Sequence, residues 1–493
     1  MFLKIKAITV GFFLFGFFLL PSTPTPVQAV MSQYDDFSGP SIDANRWRDG
    51  EFVREIRDGN LFSRISVLNS GLFPVDSIEK INYLSPKYST PTPLRHLQAT
   101  VVVRSIEKTN AGYPHAGISG MFYNDGTGAV IGDPKTGDAQ AQLHFVLSSS
   151  GVPKVVWQVV KTYGTSQNFV GSGEFFMTLF LNRAYLLKIQ WDPAQKKFDF
   201  IVEDVLDPAK TETKTWYTSD TILNEPSASW LGIGTYIAIP DNLSSGKVSA
   251  TFDDILVRTT GGGVFLQDDF TAAEIDSTKW STLDCVREIR NGDLVIEQRQ
   301  VSNGVDQKFQ NFRNPDLVQE MESNVRISRY ENASNNSNLA ARLIGIFYND
   351  TGNPASGITG DVWATVELGG SGSTPVARYQ VIRFLNSTTW DTLVIQNFNT
   401  PVVIGETYRL YLKWDGAQFT FKILPPSGVE ETATYQPATP IYPPNTKLKA
   451  LNTRVSTPNT NGKWIAAVFE DIWINRSVLF LPLILKTQPT VPF

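Results

Sequence analysis

The chain has 493 residues, 42% of them hydrophobic and 18% charged, with a formal net charge of -5. That length exceeds one ordinary domain and suits two β-rich domains of roughly 200 to 250 residues each. The small acidic balance excludes the electrostatic footprint of a nucleic-acid binder, and a single cysteine, Cys285, excludes an internal disulfide framework or a cysteine-based zinc site.

At the N-terminus, Lys4 and Lys6 precede an apolar run from Ala7 to Leu20, and a Pro/Thr/Ser stretch then ends in Val27-Gln28-Ala29. This pattern predicts a signal peptide over 1–29 with cleavage after Ala29. The apolar run is shorter than the roughly 20 residues of a membrane span. A secreted protein, extracellular or periplasmic, is therefore expected, with no membrane span after cleavage and with surface association as a variant.

An internal repeat organises the rest. Asp35-Asp36-Phe37 matches Asp268-Asp269-Phe270, Trp47 matches Trp280, and Val53-Arg54-Glu55-Ile56-Arg57 matches Val286-Arg287-Glu288-Ile289-Arg290, all at one constant offset. Further on, Phe122-Tyr123-Asn124-Asp125 matches Phe347-Tyr348-Asn349-Asp350, Trp191-Asp192 matches Trp414-Asp415, and Phe252-Asp253-Asp254-Ile255 matches Phe469-Glu470-Asp471-Ile472. The offset shrinks along the chain, as it does when loops shorten between kept strands. Gly261-Gly262-Gly263 lies between the copies and reads as a linker over 261–263, dividing a first module at 31–260 from a second at 264–476.

Within each copy, β-branched and aromatic segments alternate with Gly, Pro, Asn and Asp, and no helical period is sustained. Lys188-Ile189-Gln190-Trp191 alternates at period two, as a strand with one buried face does. Together the Asp-Asp-Phe opening, the Trp, the Asp-Gly-Asn-Leu strand end, the Phe-Tyr-Asn-Asp segment and the Phe-Asp-Asp-Ile close resemble the concanavalin A-like lectin/glucanase superfamily. The resemblance implies an all-β fold, with two tandem concanavalin A-like jelly-roll β-sandwiches.

Glucanases of that superfamily carry a Glu-x-Asp-x-x-Glu strand, and here the nearest string, Glu274 to Lys279, lacks the second Glu. Alginate lyases of the same fold offer a closer likeness. Val53–Arg57 together with Gln142-Leu143-His144 resembles their motifs, which would assign Arg57 and Gln142 to a uronate carboxylate and His144 to the C5 proton. Module two keeps the Arg-Glu strand without a Gln-Leu-His, so a structural brace between strands is favoured for it. His96, His115 and His144 are dispersed, and satisfied or exposed histidines are the default reading.

The resemblance also implies a structural Ca²⁺, for which Asp36, Asp254, Asp269 and Asp471 are the candidate ligands from first and last strands; no cofactor is otherwise required. Trp47/Trp280 and Trp191/Trp414, present in both copies, are assigned to packing. Unshared aromatics, among them Tyr113 and Trp230, are candidates for a sugar platform, with Trp157, Tyr163, Trp363 and Tyr379 taken as the ligand-binding set. The segment 477–493 reads as an apolar C-terminal tail.

The favoured function is a non-catalytic binding protein for a carbohydrate or another cell-surface partner. A polysaccharide-active enzyme working through module one, alginate-lyase-like or a glycoside hydrolase, is the first alternative. A structural component of an extracellular assembly is the second.

Overall fold

A computed structural model describes residues 31–476, apart from 68–77, 88–93, 129–134, 165, 221–225, 227–229, 241–243, 260, 333–337, 353–356, 439 and 458–461. The expected signal peptide and C-terminal tail lie outside the described residues. The first repeat runs through β1 (Ser32–Asp35), β2 (Phe52–Arg57), β3 (Asn60–Val67), β4 (Ile78–Leu84), β5 (Leu94–Thr109), β6 (Tyr113–Asn124), β7 (Asp138–Leu147), β8 (Pro153–Tyr163), β9 (Ser166–Glu174), β10 (Ala184–Asp192), β11 (Lys197–Asp204), β12 (Thr211–Tyr217), β13 (Leu231–Ile239) and β14 (Ser245–Thr259). The second runs through β15 (Val264–Asp268), β16 (Cys285–Arg290), β17 (Asp293–Gln300), β18 (Gly304–Asn311), β19 (Val318–Asn332), β20 (Asn338–Asn349), β21 (Asp361–Gly370), β22 (Val376–Phe384), β23 (Trp390–Pro401), β24 (Thr407–Trp414), β25 (Phe419–Leu424), β26 (Glu431–Tyr435), β27 (Lys449–Thr457) and β28 (Lys463–Arg476).

The protein is all-β, in three sheets. A 16-stranded sheet follows the order β12-β11-β10-β5-β14-β3-β2-β16-β17-β28-β19-β24-β25-β26, with β1 joined to β28 and β15 to β14. Two 6-stranded sheets, β4-β13-β6-β7-β8-β9 and β18-β27-β20-β21-β22-β23, each cover one half of it. Between the layers lie two apolar cores, and alternation along the strands explains them: Ala139, Ala141, Leu143 and Phe145 of β7 point into the first, as do Leu187 and Ile189 of β10. Tyr123 stacks on Trp191 at 4.9 Å and Tyr348 on Trp414 at 4.9 Å, which is the packing role expected of those tryptophans.

The two cores do not follow the repeat boundaries. Tyr34, Phe37, Ile42 and Trp47, which open the first repeat, are buried in the core of the second. Phe270, Ile275, Trp280 and Leu283 in turn complete the core of the first. β1 pairs with β28, Asp35 opposite Ile472, and β15 pairs with β14, Asp268 opposite Ile255. The opening segments are thus exchanged between the halves. Gly261 and Gly262 take φ values of 87° and 78°, and the Gly262 N–H donates to the Thr259 carbonyl at 3.0 Å. The triple glycine is accordingly a hairpin turn between paired strands rather than a spacer between domains.

The same exchange explains the Asp-Asp-Phe motif. Buried Asp35 accepts the Phe37 N–H at 3.0 Å and the Trp47 indole N–H at 2.6 Å. Asp268 repeats this with Phe270 at 3.2 Å and Trp280 at 2.6 Å. The carboxylate holds Phe37 at a φ of 54° and Phe270 at 48°, a conformation that costs a bulky residue energy unless the surroundings fix it.

β2 and β16 form the seam of the large sheet. They pair antiparallel with Val53 opposite Val286, its counterpart in the repeat, so a local two-fold passes through that pair. Val53, Phe62, Val286, Val295 and Val468 pack there as a small third core. On the same face Arg57 binds Glu55 of its own strand and Glu288 across the seam. Arg290 answers with Glu288 at 2.6 Å and Glu55 at 2.8 Å, and Arg64 adds a contact to Glu288 at 3.3 Å. Burial alone would lower the Arg290 guanidinium, but Glu55 and Glu288 beside it hold it above its ordinary value. Arg54 points the other way and donates to the Leu283 carbonyl at 2.9 Å, while Arg287 donates to the Gly50 carbonyl at 2.8 Å.

Two outcomes are expected from this arrangement. Glu288→Gln removes the carboxylate shared by three guanidiniums and should lower stability by about 3 kcal/mol in urea unfolding, whereas Glu174→Gln, in an exposed pair with Lys154, should cost less than about 1 kcal/mol. Trp47→Ala should cost about 3 to 5 kcal/mol and accelerate hydrogen exchange in β19, β24 and β28, far away in sequence. Loss of protection confined to residues 52–259 would contradict the exchange.

Candidate functional site

The outer face of β4-β13-β6-β7-β8-β9 carries a groove of about 1390 Å³. Pairing in register brings its residues together from distant segments: His144 lies opposite Gly117 and Val156, Gln142 opposite Ser119 and Gln158, and Tyr236 opposite His115 and Ile81. Because the inward residues of β7 fill the core, Gln140, Gln142 and His144 project outward as one row.

A stack of rings forms the floor. His144 and His115 lie face to face with centroids 4.0 Å apart, and Tyr236 covers the other side of His115 at 4.6 Å. Tyr113 stands edge-on to His115 at 5.5 Å, and Trp230 edge-on to Tyr83 at 5.7 Å. Gly117 makes room for this stack, since a Cβ there would sit 2.8 Å from His144 Cδ2 and 2.1 Å from the Leu143 carbonyl oxygen. The Tyr83 hydroxyl and His115 Nε2 are 3.1 Å apart. His115 Nδ1 and both ring nitrogens of His144 are buried without a protein partner among the described residues. Buried polar atoms are normally bonded, so three such atoms in residues lining one groove are an exception in this structure.

Both imidazoles are neutral. Burial pulls His144 from 6.5 down to about 3, and burial followed by the neighbouring His144 pushes His115 well below its ordinary value. Among the described residues, the charged ones in the lining are Lys135 and Asp138, and Asp138 accepts the Asn124 amide at 2.7 Å. Four amides, of Gln140, Gln142, Gln158 and Gln167, complete the wall and offer donors and acceptors. The groove is therefore sparsely charged, ring-floored and rich in amides.

Of the residues expected from the lyase likeness, Gln142 and His144 share this groove and Arg57 does not. Arg57 lies on the large sheet, tied to Glu55 and Glu288 and stacked on Phe62 at 4.3 Å. Of the expected sugar platforms, Trp157 and Tyr379 belong to the cores: Trp157 stacks on Phe200 at 5.0 Å and Tyr379 on Phe421 at 4.8 Å. This corrects the assignment of Trp157 to the ligand-binding set, because Gln158 holds the outward position and its neighbour must point in. Tyr163 is half-buried at the end of β8, outside the groove lining. Trp363 is half-buried beside Phe384 at 5.6 Å, on the outer face of the other 6-stranded sheet. Tyr113 and Trp230, also named from sequence, do line the groove, whereas His115, Tyr83 and Tyr236 were missed. The row Gln140-x-Gln142-x-His144, polar at every second position of an apolar strand, was the signal available.

The calcium ligands do not converge. Asp36 accepts the Ser38 N–H at 3.1 Å, Asp269 the Thr271 N–H at 3.3 Å, Asp254 the Thr100 hydroxyl at 3.2 Å and Asp471 the Gln33 amide at 3.0 Å. Among the described residues no three His, Cys, Asp or Glu side chains gather to hold a metal ion. The exchange also sets Asp36 near Asp471 and Asp269 near Asp254, across repeats rather than within them. These carboxylates cap turns and bulges, and the donor set does not fit the ion.

The neutral histidines tie stability to pH. In the unfolded chain each ring takes a proton below about 6.5, while native His144 does so only near 3. Stability is then undiminished above pH 6.5 and falls as pH drops toward 3, by up to about 1.4 kcal/mol per pH unit for one ring. His144→Gln should flatten that acid limb in urea unfolding between pH 6.5 and 4. An unchanged slope would mean that the native ring is solvated.

No family model and no curated protein matches the chain. Solved structures align with it at low scores. Tailspike protein 2 of an Escherichia coli O157:H7 bacteriophage is 11% identical, at a TM-score of 0.23 over 46% of this chain and 27% of that one, so the chain spans about a quarter of the tailspike. Lectin I from Ulex europaeus, in complex with a methyl glycoside of fucose, is 11% identical at 0.18, over 39% of this chain and 97% of that one. A GH43 protein from Bacillus licheniformis is 8% identical at 0.23, over 88% and 99%. At such TM-scores the likenesses carry no functional argument, and what the groove can bind is set by its own residues.

Proposed function

We propose that the chain is an exported, non-catalytic saccharide-binding protein, built as two concanavalin A-like jelly-roll sandwiches with exchanged opening strands, and that the groove of the first half is its combining site. The observation that carries this reading is the stack His144, His115 and Tyr236, in which His115 Nδ1 and both His144 ring nitrogens have no protein partner among the described residues, beside four glutamine amides. A sugar ring presents an apolar C–H face to aromatic rings and vicinal hydroxyls to amides and imidazoles, and a sparsely charged groove of this size accepts several such units. Export is supported by the Lys4, Lys6 and Ala7–Leu20 pattern.

The lyase alternative draws on Gln142 and His144 sharing the groove. Its weakness is chemical: a uronate carboxylate must be neutralised before a base can remove the C5 proton, and the arginine assigned to that task is bound to glutamates on another sheet.

Titration calorimetry of the full chain against neutral oligosaccharides chosen from a glycan array tests the proposal. His144→Ala and Tyr236→Ala should each weaken binding about 10- to 100-fold, and Arg57→Ala should leave it unchanged. An array with no hits would end the saccharide reading, and release of unsaturated uronate products from an acidic polysaccharide would establish the lyase.

A further inference from the structure

The second 6-stranded sheet presents the same outer face with different chemistry. Register equates Glu367 with His144, Arg342 with Gly117, Arg454 with Tyr236 and Ala340 with His115. In place of a neutral ring stack stand three guanidiniums and one carboxylate. Arg378 donates to Glu367, and an Arg342 guanidinium nitrogen lies 3.9 Å from it. Arg342 is held further by the Asn452 side-chain oxygen at 2.7 Å and that of Gln307 at 2.6 Å.

One carboxylate cannot balance three guanidiniums. Arg342 and Arg378 are 4% and 8% exposed, and the Arg454 Nε is buried without a protein partner among the described residues. Among the described residues the carboxylate acting on Arg342 and Arg454 is Glu367. Burial, only partly offset by Glu367, pushes Arg342 down to about 9. Uncompensated charge in such a place needs a counter-charge. The row beside the cluster carries small side chains: Arg454 faces Ala340, and Ala340 faces Gly369, ahead of Val376. Trp363 borders the cluster, with the Arg342 guanidinium 5.9 Å from its ring.

We propose that this face is a second, anion-selective site, at which Arg454, Arg342 and Arg378 receive the carboxylate or sulfate group of an acidic saccharide while Trp363 supports the sugar ring. Guanidiniums suit both groups, since their planar donors match paired oxygens. The choice of a saccharide rests on the function proposed above; the need for an anion does not. The site lies apart from the first groove, whose lining offers little charge.

The test uses calorimetry on the full chain with three probes: an oligogalacturonate for carboxylate, a sulfated galactan oligomer for sulfate ester, and a neutral oligosaccharide that binds the first groove. Arg454→Gln is chosen because Arg454 makes no ion pair with Glu367 and its loss leaves the Arg378–Glu367 pair intact. It should weaken binding of at least one anionic probe tenfold or more and leave the neutral probe unaffected, with Arg454→Lys recovering part of the affinity. Anionic binding should also weaken with salt more steeply than neutral binding. The inference is overturned if neither anionic probe binds the wild-type chain. It is equally overturned if Arg454→Gln binds them unchanged while His144→Ala does not. Failure of the neutral probe alone would count against the first groove and leave this site standing.

Discussion

The pairing of β2 with β16 is the constraint on which the remaining architecture rests. Val53 lies opposite its own repeat counterpart, so each contact at the seam is made twice. Glu288 is 2% exposed in the middle of a sheet, a setting that charge tolerates only when its partners are present. Arg57, Arg64 and Arg290 provide them, drawn from both repeats. Neither half can complete this set alone, and the apolar cluster around Val53 and Val286 would be left open. The large sheet is continuous for that reason, and the exchanged segments extend the same logic to the cores. Trp47 reports on the second half and Trp280 on the first.

With the large sheet engaged by core on one side and joined at the seam, the 6-stranded sheets keep their outer faces for other purposes. Alternation separates the two demands. Inward residues match between repeats in kind: Tyr123 and Tyr348, Trp191 and Trp414, Phe198 and Phe419 make equivalent ring contacts. Outward residues at equivalent positions differ in charge and size, as His144 and Glu367 do. A change on the outer face leaves the core untouched, so one scaffold carries two chemistries.

The sequence revealed the repeat clearly, because motifs such as Val-Arg-Glu-Ile-Arg recur in one order. It did not reveal the exchange. Asp35-Asp36-Phe37 and Asp268-Asp269-Phe270 satisfy the same contacts, so either could complete either core. What distinguishes them is chain length: β15 begins five residues after β14 ends and pairs as a hairpin, which leaves β1 for β28. The groove was partly legible. Gln142 and His144 were singled out through a motif, but His115, Tyr83 and Tyr236 come from strands adjacent in the sheet and distant in the chain. Trp157 was misplaced by one residue of parity, the smallest error that moves a side chain from groove to core. The calcium set has no distinguishing signal in the sequence, because carboxylates that close turns look the same there as carboxylates that hold an ion.

The triple glycine also bears on how two sites could act together. A flexible spacer would let two binding faces adjust to a ligand, and avidity would then depend on the effective concentration set by the spacer. Here that glycine run is a hairpin turn, and the described residues form one compact unit. The seam and the exchanged strands fix the first groove and the arginine face relative to each other. Simultaneous engagement then depends on the spacing of groups along the ligand, with no adjustment from the protein. If both proposed sites bind, a groove with a ring floor and an arginine face on such a body would select for a polymer whose neutral and acidic units fall at that fixed separation, and a polymer with any other spacing would gain only one contact at a time.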